Sequence, residues 1–214
     1  MRILVACEYS GAVSRAFREQ GHEAYSVDLI PADHDEDEPF HFVGDYREAL
    51  DQIEGALGPI DIIIGHPPCT ALASSGNRWY AGTAEREEAA RFVANMATVF
   101  SEHARIGWAI ENPVGVLSSQ WRKPDQMVQP YEYGAPARKR TCLWTRGLPP
   151  LVPTNVVEPK LVKYERQDGS GRCTTFSADY GVGYETRHGK RRSATYPGIA
   201  KAMADQWGSL PLNP

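Results

Sequence analysis

The sequence predicts an α/β protein with a doubly wound, mostly parallel sheet. Three observations predict it. Apolar runs of strand length occur at Arg2–Cys7, Ala24–Asp28, His41–Asp45, Asp61–Gly65 and Gly107–Ile110; helical periods separate several of them; and the chain beyond most of them opens on a polar or reactive residue. With 214 residues, 42% of them apolar and 23% charged, the chain is long enough for one globular domain. It falls outside the range of disordered, collagen-like and coiled-coil chains.

The first run is followed by Ser10-Gly11 and by Val13, Ala16 and Phe17 at helical spacing, so it reads as strand, turn, helix. Ala24–Asp28 is the second strand and ends in an acid. Asp33–Glu38 is an acidic loop, His41–Asp45 a third strand with an acidic end, and Ala49–Leu57 a short helix. Asp61–Gly65 is a continuous apolar run, as a central strand buried on both faces requires, and it breaks at His66-Pro67-Pro68-Cys69. Between Thr83 and Ala104, Ala89, Phe92, Val93, Met96 and Phe100 share a helical face, and Glu85, Glu87 and Glu88 suit the positive end of the helix dipole. Gly107–Ile110 is the fifth strand and Thr141–Trp144 a further one. Residues 148–153 are proline-rich, 165–192 are polar and Gly-rich, and Ile199–Trp207 is a last helix.

No apolar run approaches the roughly 20 residues of a membrane span. The N-terminal segment lacks the pattern of a secretory signal, so a cytoplasmic protein is expected. Cys7, Cys69, Cys142 and Cys173 form no C-x-x-C pair and the six histidines show no paired spacing, which predicts free thiols and no metal. The net charge of −4 hides an asymmetry. Residues 1–113 hold 8 Lys and Arg against 19 Asp and Glu, a net of −11, whereas residues 114–214 hold 15 against 8, a net of +7. The second half therefore presents the field that a polyanion would meet, or a solvated basic face.

If the topology is right, Glu8, Asp28, Asp45, Cys69 and Glu111 converge at the carboxyl edge of the sheet, where ligands bind in this fold class. Asp28 and Asp45 are placed to accept hydrogen bonds from a nucleoside, one from ribose hydroxyls and one from an adenine amino group. Cys69 follows a stiff Pro-Pro pair; its thiolate is scarce at neutral pH at an ordinary pKa of about 8.5, so a nucleophilic role needs local activation.

These segments resemble the cytosine-5 methyltransferase family. Asp61 through Gly76, with Pro68-Cys69 after a buried strand and Ser75-Gly76 beyond, is similar to that family's nucleophile segment. Glu111-Asn112-Pro113 resembles its Glu-Asn-Val element with Pro in place of Val. Gly44-Asp45 resembles the adenine-contacting Gly-Asp, and Asp28 falls where the ribose-binding acid is expected. Tyr133 through Arg140 resembles the segment that holds the target base and backbone, and Ser193 through Gly198 the terminal element that returns to the cofactor pocket. The resemblance implies a methyltransferase sheet of Rossmann-like type, S-adenosylmethionine as cofactor and DNA, single- or double-stranded, as partner. It implies Cys69 and Glu111 as catalytic residues. Glu8, Ser10, Gly11, Asp28, Asp45, Pro67 and Tyr196 would serve the cofactor, and Pro68, Asn112, Arg138, Lys139 and Arg140 the substrate, joined by Lys190, Arg191 and Arg192.

The chain departs from the family in three places. Its first loop, Glu8-Tyr9-Ser10-Gly11, keeps one of the clustered glycines. The Gln of the basic segment is Ala137, and two registers fit, giving the arginine roles either to Lys139 or to Arg138 with Arg140. Residues 145–192 stand where specific members carry a long target-recognition insertion, which implies a single catalytic domain over 1–214 with a short substrate-facing segment and low sequence specificity. A free cytidine nucleotide as substrate, transfer of a group other than methyl, and a non-catalytic nucleic-acid or nucleotide-binding relative are the alternatives.

Overall fold

Ile3, Leu4, Val5 and Ala6 have no solvent exposure on β1 (Arg2–Ala6), the third of seven strands in spatial order. A strand apolar on both faces needs a cover on each. The computed structural model describes residues 1–165, 173–177 and 194–212. β1 pairs in parallel with β2 (Glu23–Asp28) and β4 (Ile62–Gly65); β2 pairs with β3 (His41–Val43), and β4 with β5 (Gly107–Pro113). Leu4, Ala6, Ile63 and Ile110 pack with α2 (Tyr46–Leu57) and with a long helix at Ala84–His103. Ile3, Val5, Ile62, Ile64 and Ala109 pack on the other side with α1 (Ala12–Glu19) and a final helix at Pro197–Trp207. In chain order, a short α3 (Asn77–Tyr80) precedes the long helix, α4; α5 (Leu117–Gln120) follows β5, and the final helix is α6.

The sheet order is β3-β2-β1-β4-β5-β7-β6, where β6 is Gln126–Val128 and β7 is Thr141–Arg146. β7 runs antiparallel to both neighbours. This mixed sheet with its reversed β7 is the arrangement typical of the Rossmann-like fold of S-adenosylmethionine-dependent methyltransferases. A separate antiparallel pair is formed by β8 (Leu161–Glu165) and β9 (Cys173–Ser177). Much of the segment expected to face substrate, 166–172 and 178–192, lies outside the described residues. No helix among the described residues is long and apolar enough to cross a membrane.

Several boundaries differ from expectation for identifiable reasons. The third strand stops at Val43 because Asp45 caps α2, its carboxylate accepting from the Arg47 N–H at 2.8 Å, so the helix starts at Tyr46. β5 runs on to Pro113 because Glu111, Asn112 and Pro113 pair with Leu143, Cys142 and Thr141 of β7. α6 starts at Pro197, where the fixed φ of proline suits the first helical position. The acidic loop holds a 3-10 turn, Asp35–Phe40, with Asp37 only 1% exposed and ion-paired to both Arg15 and Arg18 of α1. Gly11, at φ 66°, passes so close to Asp37 that a Cβ there would overlap its carboxylate.

Asp37 thus staples the acidic loop to α1. Removing one partner of a buried ion pair costs ~3–5 kcal/mol, and partial exposure of the two arginines reduces this to about 2 kcal/mol. Asp37→Asn is expected to lower unfolding stability by about that amount in a urea titration; an unchanged midpoint would show that the staple contributes nothing.

Candidate active site

The site is built where β4 ends beside β5. Gly65 pairs with Ile110, so the next residues, His66 just past the end of β4 and Glu111 still on β5, stand side by side, with His66 Nδ1 3.1 Å from Glu111 Oε2. One step further, the Asn112 amide donates to the Pro67 carbonyl at 2.8 Å. Beyond them the two loops stay zipped: Ser74 N–H donates to the Val114 carbonyl and Val116 N–H to the Leu72 carbonyl, both at 3.0 Å. Cys69 sits in this clamped segment, half-buried, with its carbonyl accepting from the N–H groups of Leu72 and Ala73. The loop that carries the thiol and the strand that carries the carboxylate, both expected to be catalytic, are therefore tied together at several points.

Glu111 and His66 are 14% and 10% exposed. Burial pushes the Glu111 carboxyl up. The hydrogen bond and charge of His66, the Lys139 charge and the Thr141 hydroxyl outweigh it and hold Glu111 below the usual carboxylate range. Burial pushes the His66 imidazole down, and its bond and attraction to Glu111, with Glu8 adding, outweigh burial and an opposing Lys139, so it titrates above its ordinary value. His66 Nε2 is buried and has no hydrogen-bond partner among the described residues. The Asn112 Oδ1 atom is in the same position, and its amide serves as the clamp on Pro67.

A cleft of about 350 Å³ lies against this edge, lined from the loops after β1, β2, β3 and β4. Asp28, Asp45, Glu8 and Ser10, expected at the cofactor, line it. Pro68 also does, although its expected place was at the substrate. Pro67, expected at the cofactor, is buried behind it, and Gly11 and Tyr196 are not among the lining residues. Ala194 and Thr195, just before Tyr196, do line the cleft, together with Leu29, Ile30, Phe92 and His66, for which the sequence reading assigned no cleft role. Leu29 is 77% exposed and Ile30 41%, so two large apolar side chains stand open to solvent at the rim of the cleft. Strand-end position was the signal available for Leu29 and Ile30; for Phe92 none existed, because it reads as core helix.

The two aspartates share one environment. Burial, then the charges of Asp28 and Asp45, push the Cys7 thiol up to about 12, so both carboxylates bear on the same sulfur and Cys7 stays protonated. Cys7 also adopts φ 58°, an uncommon conformation for a non-glycine residue, where the chain turns from β1 toward the cleft. His41 bridges Ser26 Oγ and the Ile30 carbonyl, each at 2.9 Å, and so holds the Asp28 loop against β3. Glu8 has a different duty. It is 3% exposed, and its carboxylate oxygens accept from the N–H groups of Val13 at 2.6 Å and Ser14 at 3.1 Å, so the start of α1 already has its anion. An acid-rimmed cleft with apolar walls fits a cationic, nucleoside-bearing cofactor such as S-adenosylmethionine.

Of the basic segment, Lys139 is the residue whose charge reaches Glu111 and His66, and its Nζ lies 5.7 Å from the Tyr196 ring centroid. Arg138 and Arg140 on either side are exposed. Lys190, Arg191 and Arg192 lie outside the described residues. A second depression of about 380 Å³, bounded by Trp108, Trp121, Arg122 and Arg146, opens at the amino end of the parallel strands; no acid or thiol lines it. Among the described residues no group of three or more His, Cys, Asp or Glu side chains could hold a metal ion.

Comparison with protein-family models and with curated proteins gives no match. Among solved structures, a prophage-encoded E. coli protein described as a candidate DNA modification methyltransferase is similar over 74% of this chain and 52% of its own, at 16% identity and a TM-score of 0.46. This chain thus spans about half the length of that structure.

Proposed function

We propose that the protein transfers a methyl group from S-adenosylmethionine to C5 of cytosine in DNA, through a transient bond between Cys69 and C6 of the base. The observation that carries this reading is the juxtaposition of the Cys69 loop and Glu111 by the β4–β5 register, beside an acid-rimmed cleft. C5 of cytosine is a weak nucleophile until a group adds at C6, and a thiolate suits that reversible addition. Glu111 accepts a hydrogen bond from the exocyclic amine and, when it carries a proton, gives it to the ring nitrogen that gains charge. Asp28 and Asp45 hold the ribose and adenine of the cofactor, which when bound supplies an electrophilic methyl group to C5. Asn112 acts indirectly, fixing Pro67 and with it the approach of Cys69. Lys139, close enough in charge to stabilise the ionised Glu111, faces the base, and exposed Arg138 and Arg140 are left for the phosphates.

Incubation with cofactor and an oligonucleotide containing 5-fluorocytosine is expected to give a covalent protein–DNA adduct, visible by denaturing electrophoresis, which Cys69→Ala does not form. Methyl transfer by Cys69→Ala at the wild-type rate would overturn the mechanism.

Asp28→Ala and Asp45→Ala are each expected to weaken S-adenosylmethionine binding about ten- to a hundredfold in calorimetry, the loss of one charge-assisted hydrogen bond of ~1.5–3 kcal/mol. Unchanged affinity in both folded variants would place the cofactor elsewhere.

DNA affinity is expected to fall with salt on a log–log slope of about −0.9 per phosphate contacted on duplex and about −0.7 on single strands. The slope should flatten in the Lys190→Ala, Arg191→Ala, Arg192→Ala triple variant. Methyl transfer to free dCMP with none to DNA would favour the nucleotide as substrate.

A further inference from the structure

Glu111 faces a conflict at the ring of a bound cytosine. As a carboxylate it suits the exocyclic amine, but the neighbouring ring nitrogen presents a lone pair, and that nitrogen needs a proton as a thiolate adds to C6. The groups around Glu111, which are His66, Thr141 and Lys139, all favour the ionised form. A group able to carry that proton is close by: His66 Nδ1 lies 3.1 Å from Glu111 Oε2, on an imidazole just past the end of β4 and level with Glu111. That imidazole lines the cleft, and its Nε2 has no hydrogen-bond partner among the described residues.

We propose that His66 and Glu111 hold one proton between them and that His66 is the positioning residue that keeps a proton available to the substrate ring through Glu111; this rests on the reading of Cys69 and Glu111 given above. Four further groups bear on the pair. Glu8, from the loop after β1, favours a charged His66, and Lys139, from the segment before β7, opposes it. Thr141 on β7 supports the Glu111 carboxylate, and Cys142 beside it stays a thiol, pushed up by burial and by the Glu111 charge. The pair therefore loses its shared proton in a step that belongs to both residues, above the ordinary histidine range.

The step balances as follows. The Cys69 thiolate forms the S–C6 bond, the C5=C6 π electrons move toward C5 and the ring, and the one proton shared by His66 Nδ1 and Glu111 Oε2 passes by way of the Glu111 carboxyl to N3, leaving the imidazole neutral and Glu111 a carboxylate. After C5 has taken the methyl group, its own proton leaves to water and that electron pair restores C5=C6. The S–C6 bond breaks to return the thiolate, and N3 gives its proton back to the pair.

The test compares single-turnover methyl transfer against pH in wild type and in His66→Gln, which keeps a hydrogen-bonding amide but cannot carry the proton. Wild type should hold its rate until pH exceeds the raised histidine value. In His66→Gln the alkaline limb should move at least one unit toward acid, an about tenfold or greater loss near pH 8 with a smaller loss at acid pH and unchanged KM for DNA. A uniform loss with the limb in its wild-type place overturns the proposal and leaves His66 a structural role. In parallel, the His66 imidazole followed by NMR should titrate at lower pH in Glu111→Gln; an identical titration overturns the shared proton, and this arm decides the matter where His66→Gln does not fold. Wild type forming no adduct with 5-fluorocytosine DNA overturns the methyl-transfer reading and the step with it, whereas an adduct with an unmoved limb overturns the His66 step alone.

Discussion

The parallel pairing of Gly65 with Ile110 is the constraint on which the site depends. Side chains alternate along a strand, so a slip of one residue would turn His66 and Glu111 to opposite faces and separate Asn112 from Pro67. The register is held by what lies below it. Ile62, Ile63 and Ile64 are fully buried, and β4 approaches α4 so closely that a Cβ on Gly65 would lie 2.8 Å from Phe100 and 2.9 Å from Met96. The interleaved core thus specifies, at its upper edge, which polar side chains meet.

Several carboxylates around the cleft perform structural and chemical duties together. Asp45 caps α2 while bearing on Cys7, and Glu8 caps α1 while adding to the field at His66. Placing acids at helix starts is stabilising through the dipole and concentrates negative potential at one edge of the sheet. Of the acids in residues 1–113, Glu8, Asp28, Asp45 and Glu111 stand at this edge, and Lys139 brings the opposite sign to it from the second half of the chain.

The central strands were legible because a continuous β-branched run such as Ile62–Ile64 has few other stable environments. The acids at Asp28 and Asp45 were legible as strand ends, though the cap that shortens β3 needed the helix geometry. The direction of β7 was not legible, since an apolar strand looks alike in either orientation and only its partners decide. Asp37 reads as one of four consecutive acids, and its distinction comes from two arginines 19 and 22 residues away in sequence. His66 was visible beside Cys69, but its partner is 45 residues further on and the pairing follows from register alone. Along Arg138, Lys139 and Arg140 the middle residue is half-buried and its two neighbours are exposed, a difference in burial that three consecutive cations do not reveal in sequence.

Glu8 gives α1 an anion of its own, so the first turn of that helix does not await a ligand to become ordered. The conformational entropy of the cleft's wall is lost during folding and not at each encounter, which leaves occupancy to be governed by desolvation and contact. Ligand association should accordingly carry the modest heat-capacity change of covering a preformed surface, without the larger one of coupled ordering.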